Sequence, residues 1–439
     1  MSLAASYWVA HHRLARPLGA SGYMMLKSLL AILLLIALLS TSAAQESVTL
    51  RFLCFQDRNE CDVYADLLAR FSEDNPGITV AVDVTAEEEV FERELAAYDA
   101  GEPYDILRMN GSWWLTGGYV NLRPLIGETL MRTFRSAYFE LLRHHPANTG
   151  IYAFPDALDM VAPFVNVSLF EQAGVALPDD GASWDEWLAA LDEVVAATDA
   201  AYVLSVDNND HRLVGPAMSL GAQYFDADGK FTLPDSDGLR DILTILHGLM
   251  EAGKTPADTL LGTGKSQEYF VRGETVMYIC GSWKVEEVAA QVGADFDWAI
   301  VPNPSGPGGA TGVALATWLV ADIGTDQPEA VAKVFEYLLE AEVSAEFAAR
   351  TLTVPAREDL AAAGIDYQTD DEVVAAALNG FAREVPNLQD QAILFDVIGE
   401  RFFYYAKSNE FLRAYFAGEL SLDVALARLQ ARLEEIKNG

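Results

Sequence analysis

Strand and helix signals alternate at the start of the chain, and this alternation constrains the fold more than any other feature. Residues 48–55 are mostly apolar and rich in strand-forming types, and residues 62–72 place four apolar side chains at helical spacing. Thr85 and Glu88 match a capping box that opens a second helix. The predicted order is strand 48–55, helix 62–72, strand 78–84, helix 85–100 and strand 104–109. Helix-length crossovers between strands predict a parallel sheet with helices on both faces.

In such sheets ligands bind beyond the carboxyl ends of the strands. The loops at residues 56–60 and 110–118 follow predicted strands and are therefore candidates for a binding site.

One hydrophobic core rarely serves a chain of this length, so two domains are expected. Strand and helix signals of a second α/β region begin near residue 162. Its predicted elements are helix 184–195, strand 202–206, helix 239–252 and strands 275–280 and 296–301. Residues 302–312 contain three Pro and four Gly, which indicates a loop between domains. Strand 317–322, a helix from Pro328 and helices after residue 371 follow.

The first 44 residues match a secretory signal peptide. Lys27 precedes an apolar run of 11 residues at 29–39, and small residues at 42–44 offer a cleavage site. A membrane anchor is the alternative, but at about 1.5 Å per residue the run covers only about half of a hydrocarbon core. Met1, Met24 and Met25 all remain possible starts. No cysteine ends the run, so we expect a soluble periplasmic protein and not a lipoprotein.

The charge of the chain excludes several classes of partner. Without residues 1–44, 26 Lys and Arg stand against 65 Asp and Glu, a net charge of −39. Such acidity repels phosphate backbones and anionic lipid, so we expect no nucleic-acid partner. Solubility is a sufficient explanation of the charge itself.

Three cysteines remain in the exported part. Cys54 and Cys61 flank a polar loop and are predicted to form a disulfide in an oxidising compartment. Cys280 is then left as a buried thiol.

Six collinear stretches carry a resemblance to a known family: YDILRMNGSWWLTGGYVNLRPL (104–125), GIYAFPDALDMVAPFVNVSLFEQAGV (150–175) with the following SWDEWLAAL, FVRGETVMYICGSW (270–283), PEAVAKVFEYLLEAEVSAEFA (328–348) and TVPARED (353–359). In this order the chain resembles bacterial extracellular solute-binding proteins that serve sugar transporters. The loop FQDRNEC (55–61) departs from the shorter turn expected there.

The resemblance implies an α/β fold of two lobes, each a mostly parallel sheet flanked by helices, that close on a ligand by a hinge. Lobe one would hold residues 45–158 and 313–355, and lobe two residues 159–312 and 356–439. The implied function is to capture a carbohydrate between the lobes and deliver it to the permease subunits of an ABC transporter. We expect a monomer without enzymatic activity or a cofactor. A secreted glycoside hydrolase, or a binder of polyamine, iron or peptide with this fold, is the alternative.

Sugar sites pair aromatic platforms with polar side chains, since C–H faces stack on rings and hydroxyls need partners. Trp113 and Trp114 follow a strand beside Asn110, and we expect one indole in the cleft and one in the core. Trp283 occupies a position where the family often stacks an aromatic ring on a sugar, with core packing as the alternative. Trp318 lies near the proposed crossing between lobes.

Polar candidates follow the predicted strands and lie near the crossings, and their carboxylates could each accept two sugar hydroxyls. They are Gln56, Asp57, Asp156, Asp159, and the cluster of Asp207, Asn208, Asn209 and Asp210. An ordinary solvated turn would also explain that cluster. Arg357 could bridge lobes or form a surface ion pair, and Gln391 and Phe395 fall where the family contributes an aromatic ring. The histidines show no metal-ligand spacing, so we expect no metal site.

Overall fold

A computed structural model describes residues 47–110, 118–140, 150–226, 230–397 and 401–438. The predicted signal peptide (1–44), Trp113 and Trp114 lie outside the described residues. From Thr49 onward the chain forms one compact unit.

The strands, in chain order, are β1 (Val48–Phe55), β2 (Ile78–Thr85), β3 (Ile106–Asn110), β4 (Ala153–Asn166), β5 (Tyr202–Ser205), β6 (Thr275–Gly281), β7 (Trp298–Ile300), β8 (Ala314–Ala321) and β9 (Val354–Pro355). The helices are α1 (Glu60–Asp74), α2 (Val90–Asp99), α3 (Glu128–Met131), α4 (Ala137–Glu140), α5 (Val167–Ala173), α6 (Trp184–Ala197), α7 (Asp210–Ser219), α8 (Asp237–Glu251), α9 (Ala257–Leu260), α10 (Ser266–Val271), α11 (Val285–Val292), α12 (Pro328–Leu338), α13 (Ala341–Thr351), α14 (Glu358–Ala363), α15 (Glu372–Glu384), α16 (Asp390–Val397), α17 (Arg401–Phe416) and α18 (Leu422–Asn438). Short 3₁₀ helices cover Glu87–Glu89, Leu233–Asp235, Ser282–Lys284 and Val385–Asn387.

The long strand β4 joins two parts of the sheet, whose order is β2-β1-β3-β8-β4-β6-β5. The first half of β4 pairs with β8 from Ala153 to Met160, and the second half pairs with β6 from Val161 to Val165. The short strands β7 and β9 also pair with β4. The chain therefore passes from one group of strands to the other near Met160.

The sheet is mixed. The predicted parallel pairing holds for β1 with β3 and for β5 with β6. Three further pairs are antiparallel: β3 with β8, β4 with β6, and β4 with β8. Helices flank both parts of the sheet, so the predicted α/β class is confirmed.

Local sequence signals explain most element boundaries. Helix α1 buries the apolar face that its spacing predicts, including Leu67 and Phe71. Helix α6 begins with a capping box between Ser183 and Glu186 and buries Trp184 as a packing residue. The capping box predicted at Thr85 does not form, because the chain first makes the 3₁₀ turn Glu87–Glu89 and α2 begins only at Val90.

None of the helices within the described ranges is long and apolar enough to cross a membrane.

Candidate functional site

A cavity of about 220 Å³ opens where the carboxyl ends of β1 and β3 approach the crossing in β4. The loop after β1 contributes Phe55, Asp57, Arg58 and Glu60. The remaining lining residues come from separate elements: Glu87, Arg108, Asn110, Ala157, Leu158, Asp159, Trp283, Thr317 and Thr353. We call this space the cleft cavity. It brings together four residues that the sequence predicts as ligand contacts: Asp57, Asn110, Asp159 and Trp283.

Among the described residues, Trp283 is the aromatic side chain best placed to meet a ligand. It is partly exposed, in the 3₁₀ turn that follows β6. The backbone of Gly281 makes room for it, since a Cβ at that position would lie 1.8 Å from the indole Cζ3. The His211 ring packs edge-on at 5.6 Å, and the Arg212 guanidinium lies 5.9 Å from the ring centroid. These contacts hold the indole in place beside the cavity.

A buried ion pair lies against the floor of the cavity. Arg108 Nε donates to Asp156 Oδ2 at 2.9 Å, and both side chains are almost fully buried. Tyr64 Oη donates to the same oxygen at 2.6 Å, while Thr317 Oγ1 donates to Asp156 Oδ1. Arg108 Nη1 also donates to the Phe55 carbonyl at 3.0 Å. Breaking a hydrogen-bonded buried pair leaves an uncompensated charge, so this network keeps β1, β3, β4 and β8 in register around the cavity.

The loop between Cys54 and Cys61 is closed by the predicted disulfide. Inside it, the buried carboxylate of Glu60 accepts hydrogen bonds from the backbone N–H of Arg58 at 2.8 Å and of Asp57 at 3.3 Å. Arg58 Nη1 then reaches Glu286 Oε2 on α11 at 3.0 Å. The loop therefore presents Asp57 to the cavity and links the β1 side of the cavity to the β6 side.

Acidic groups dominate the electrostatics of the cavity. Burial, as the largest cause, raises the pKa of Asp159 to about 6. Burial also raises the pKa of Glu87, although the Asn110 amide donates to its Oε1 at 2.9 Å and opposes the shift. The raised pKa values mean that the loss of solvation of the two carboxylates outweighs the opposing effect of Arg58 and Arg108.

Residues 62–345 match the family model of bacterial extracellular solute-binding proteins. The chain belongs to this family. No protein with a curated description matches the sequence.

Several solved structures share the fold of this solute-binding protein. The cyclic α-maltosyl-1,6-maltose-binding protein of Arthrobacter globiformis matches with a TM-score of 0.73 at 15% identity, over 90% of this chain and 100% of that one. The sugar-binding protein MalE of Xanthomonas citri matches with a TM-score of 0.70 at 20% identity, over 89% and 97%. The GacH receptor of Streptomyces glaucescens matches with a TM-score of 0.65 at 19% identity, over 89% and 98%. The predicted two-lobe periplasmic-binding-protein fold is thereby confirmed.

Two candidate ligand residues lie instead in the protein interior. Trp318 is 0% exposed and packs edge-on against Tyr138, because β8 alternates and its neighbour Thr317 takes the cavity side. Phe395 is 1% exposed within a cluster of aromatic rings that includes Tyr224 at 4.9 Å. Both side chains therefore pack in the interior and neither lines the cleft cavity.

Arg357 is also away from the cavity. Its guanidinium donates to both carboxylate oxygens of Asp359 and to the Leu339 carbonyl, so its donors serve local structure. Asp156 lies behind the lining and acts through Arg108. Gln56 does not line the cavity either, and among the described residues its buried Oε1 accepts no hydrogen bond.

Asp207 and Asn209 line a separate cavity of about 480 Å³ beyond the carboxyl end of β5. Asp207 Oδ1 accepts from the Ser266 N–H at 2.7 Å, and its Oδ2 lies 3.5 Å from Arg212 Nε. Asp207 thus ties the β5 loop to α7 and α10 and is more than a solvated turn. Across the ranges that the structure describes, no group of three or more His, Cys, Asp or Glu side chains could hold a metal ion.

The sequence reasoning missed Arg108 and Thr317. A charged residue inside the apolar strand ILRMN was the available signal for Arg108, because buried arginines are almost always paired. Thr317 carried no comparable signal, since a threonine in a strand is ordinary.

Proposed function

We propose that this chain is the substrate-binding component of an ABC transporter, which captures a sugar or oligosaccharide in the cleft cavity and delivers it to the membrane permease. The observation that carries the proposal is the meeting of the Trp283 indole with Asp57, Asn110 and Asp159 at one cavity. Such a set offers a stacking surface for sugar C–H groups and acceptors and donors for hydroxyls.

The structural neighbours support a carbohydrate ligand. The Arthrobacter protein is described as binding cyclic α-maltosyl-1,6-maltose, and the GacH receptor was solved with acarbose. At 15% and 19% identity these structures show a shared fold. The proposed ligand of this chain is therefore inferred from the residues of its own cleft cavity.

The path of β4 supports closure by a hinge. One lobe comprises residues 45–158 and 313–355, and the other residues 159–312 and 356–439. The change of partner strand after Met160 falls within two residues of the proposed boundary at 158/159. A hinge there would bring Trp283 and Asp159 of lobe two against Asp57 and Asn110 of lobe one.

We further propose that the mature protein is periplasmic, monomeric and without catalytic activity. The mass of the purified protein in solution, measured by analytical ultracentrifugation, tests whether it is a monomer. Incubation with oligosaccharides tests the absence of catalysis, because release of smaller sugars would reveal a glycoside hydrolase, which needs two carboxyl groups about 5 to 9.5 Å apart across one bond.

Thermal unfolding in the presence of a sugar panel tests the function directly. A ligand at 100 times its dissociation constant adds about 2.7 kcal/mol to stability, which gives a clear shift in Tm. A shift with one sugar class supports the proposal. Shifts only with polyamine, iron or peptide would replace the carbohydrate by that solute.

A further inference from the structure

Among the described residues that line the cleft cavity, carboxylates outnumber cations. Its ionisable lining residues are Asp57, Glu60, Glu87 and Asp159 against Arg58 and Arg108. Each of the two cations already has carboxylate partners of its own. Arg108 Nε lies 2.9 Å from Asp156, and Arg58 lies 3.0 Å from Glu286 and 3.7 Å from Glu60.

Among the described lining residues, three carboxylates therefore have no ion-pair partner: Asp57 and Glu87, which are exposed, and Asp159, which is partly exposed. Within the described part of the chain, no Lys, Arg or His side chain lies at ion-pair distance from any of them. Glu87 accepts one hydrogen bond from the Asn110 amide, which is neutral. All three belong to one cavity, together with the partly exposed indole of Trp283.

A neutral ligand would not relieve this imbalance. Sugar hydroxyls can donate to carboxylates, but they leave the net charge of the closed cavity unchanged. Excluding water from ionised groups costs free energy unless they are paired. The raised pKa values of Asp159 and Glu87 show that this cost already exists in the ligand-free cavity.

A cationic ligand would supply the missing charge. A protonated amine forms charge-assisted hydrogen bonds to carboxylates, which are shorter and stronger than neutral ones. It is also attracted to the face of an indole. The cavity offers both kinds of partner.

We propose that the ligand is a basic carbohydrate, whose protonated amine lies among Asp57, Glu87 and Asp159 while a ring packs on Trp283. The inference rests on the proposed function, because it specifies the charge of a sugar bound at the same cavity.

Calorimetry with matched ligands tests the charge. The mature protein is titrated with glucosamine and glucose, with chitosan oligomers and their N-acetylated counterparts, and with spermidine as an amine that has no sugar. We expect the amine forms to bind at least about tenfold tighter than their neutral counterparts, a difference of about 1.4 kcal/mol. Added salt should reduce this preference, since the attraction is between charges.

The outcomes separate the two proposals. Neutral sugars that bind as tightly as the amine forms overturn the inference and leave the proposed function intact. Binding of spermidine without any sugar overturns the carbohydrate function. A protein that binds none of these probes at millimolar concentration overturns the inference, and the sugar panel then decides the proposed function separately.

Variants locate the effect in the cavity. Asp159→Asn and Glu87→Gln should each weaken binding of the amine form by about tenfold and change the neutral form little. Glu87 is exposed, so its variant should fold even if Asp159→Asn does not. Glu329→Gln, an exposed carboxylate on α12, is the matched control and should leave both affinities unchanged. An equal loss of affinity for the amine and the neutral ligands would show that the carboxylates do not recognise the charge of the ligand.

Discussion

Arg58 donates from its Nη1 to Glu286 Oε2 at 3.0 Å, and this ion pair links the disulfide-closed loop after β1 to helix α11 after β6. The two residues are separated by 228 positions and lie on the two proposed lobes. Both side chains are partly exposed, at 33% and 48%. The pair therefore bridges the entrance of the cleft cavity without being buried.

Removal of this bridge should favour the open state. Arg58→Ala and Glu286→Ala should each speed ligand release, because opening at the proposed hinge would separate the two residues. An exposed pair contributes at most about 1 kcal/mol, so we expect an affinity loss of up to about fivefold. Stopped-flow tryptophan fluorescence measures the release rate, and a double-mutant cycle measures the coupling.

Arg432→Ala is the control for this pair, because Arg432 forms an exposed ion pair with Glu435 on the same helix. It should leave the release rate unchanged. Strictly additive effects of Arg58→Ala and Glu286→Ala would show that the two residues do not cooperate in closure.

The two tryptophans Trp283 and Trp318 should respond oppositely to truncation. Trp283→Ala should weaken ligand binding with little change in Tm, because the indole is partly exposed at the cavity. Trp318→Ala should destabilise the fold by about 3–5 kcal/mol, as expected for a large buried side chain. Calorimetry and thermal unfolding of the same samples separate the two effects.

Gly281→Ala provides an independent check on Trp283. The added Cβ would overlap the indole, so the ring must move and affinity should fall towards that of Trp283→Ala. Unchanged affinity in both variants would remove Trp283 from the binding site.

Asp159 should make the ligand-free protein less stable as pH rises. Its pKa is about 6 in the folded state against 3.8 for the ordinary group, and burial is the main cause. Between these values the folded state holds a proton that the unfolded chain has released. The contribution of this group to stability therefore falls as pH rises from about 4 to 6 and stays unfavourable above. The charges that face it act in opposite directions: Arg58 and Arg108 lower its pKa, and Asp57 and Glu60 raise it.

Asp159→Asn should therefore raise the free energy of unfolding at pH 7, by an amount on the order of 1–3 kcal/mol. The gain should vanish near pH 4, where the wild-type carboxyl is already protonated in the folded state. Thermal unfolding at the two pH values measures this difference. A variant that is less stable than wild type at pH 7 would contradict the assignment of Asp159 as a poorly compensated carboxylate.

The disulfide between Cys54 and Cys61 should contribute both stability and site geometry. It closes a loop with a sequence separation of 7, and a loop of this length predicts about 2 kcal/mol of stabilisation. Cys54→Ser with Cys61→Ser should lower Tm and weaken binding, because the loop presents Asp57 and Arg58. Reductant should lower the Tm of the wild type and leave the double variant unchanged. If it lowers both equally, the loss does not arise from this bond.

Local sequence patterns were sufficient for the elements that carry the fold. The apolar spacing in α1 and the Ser183 capping box of α6 predict helices that form, because both signals act within a few residues. The capping box predicted at Thr85 failed, because Glu87–Glu89 form a 3₁₀ turn before α2 begins.

The direction in which a side chain points was much harder to predict. Trp283 follows Gly281 and Ser282, and Trp318 follows Gly312 at the proposed crossing, yet Trp283 lines the cavity and Trp318 is fully buried. Strand alternation assigns Thr317 and Trp318 to opposite faces, but the identity of the cavity face depends on how β8 pairs with β3 and β4. Arg357, for which an ion pair was the alternative, pairs with Asp359, and Phe395 packs among aromatic rings.

The α/β class, the order of the elements, the disulfide and the family could all be predicted from the sequence, because hydrophobic period, turn residues and collinear motifs are properties of the chain. The pairing of charges became visible only in the folded protein. Arg108 meets Asp156 across 48 positions, while Asp159, three residues further along the same strand, faces the cavity with no described cation at ion-pair distance. Electrostatic compensation depends on distances through space between residues far apart in the chain, and the sequence contains no measure of those distances.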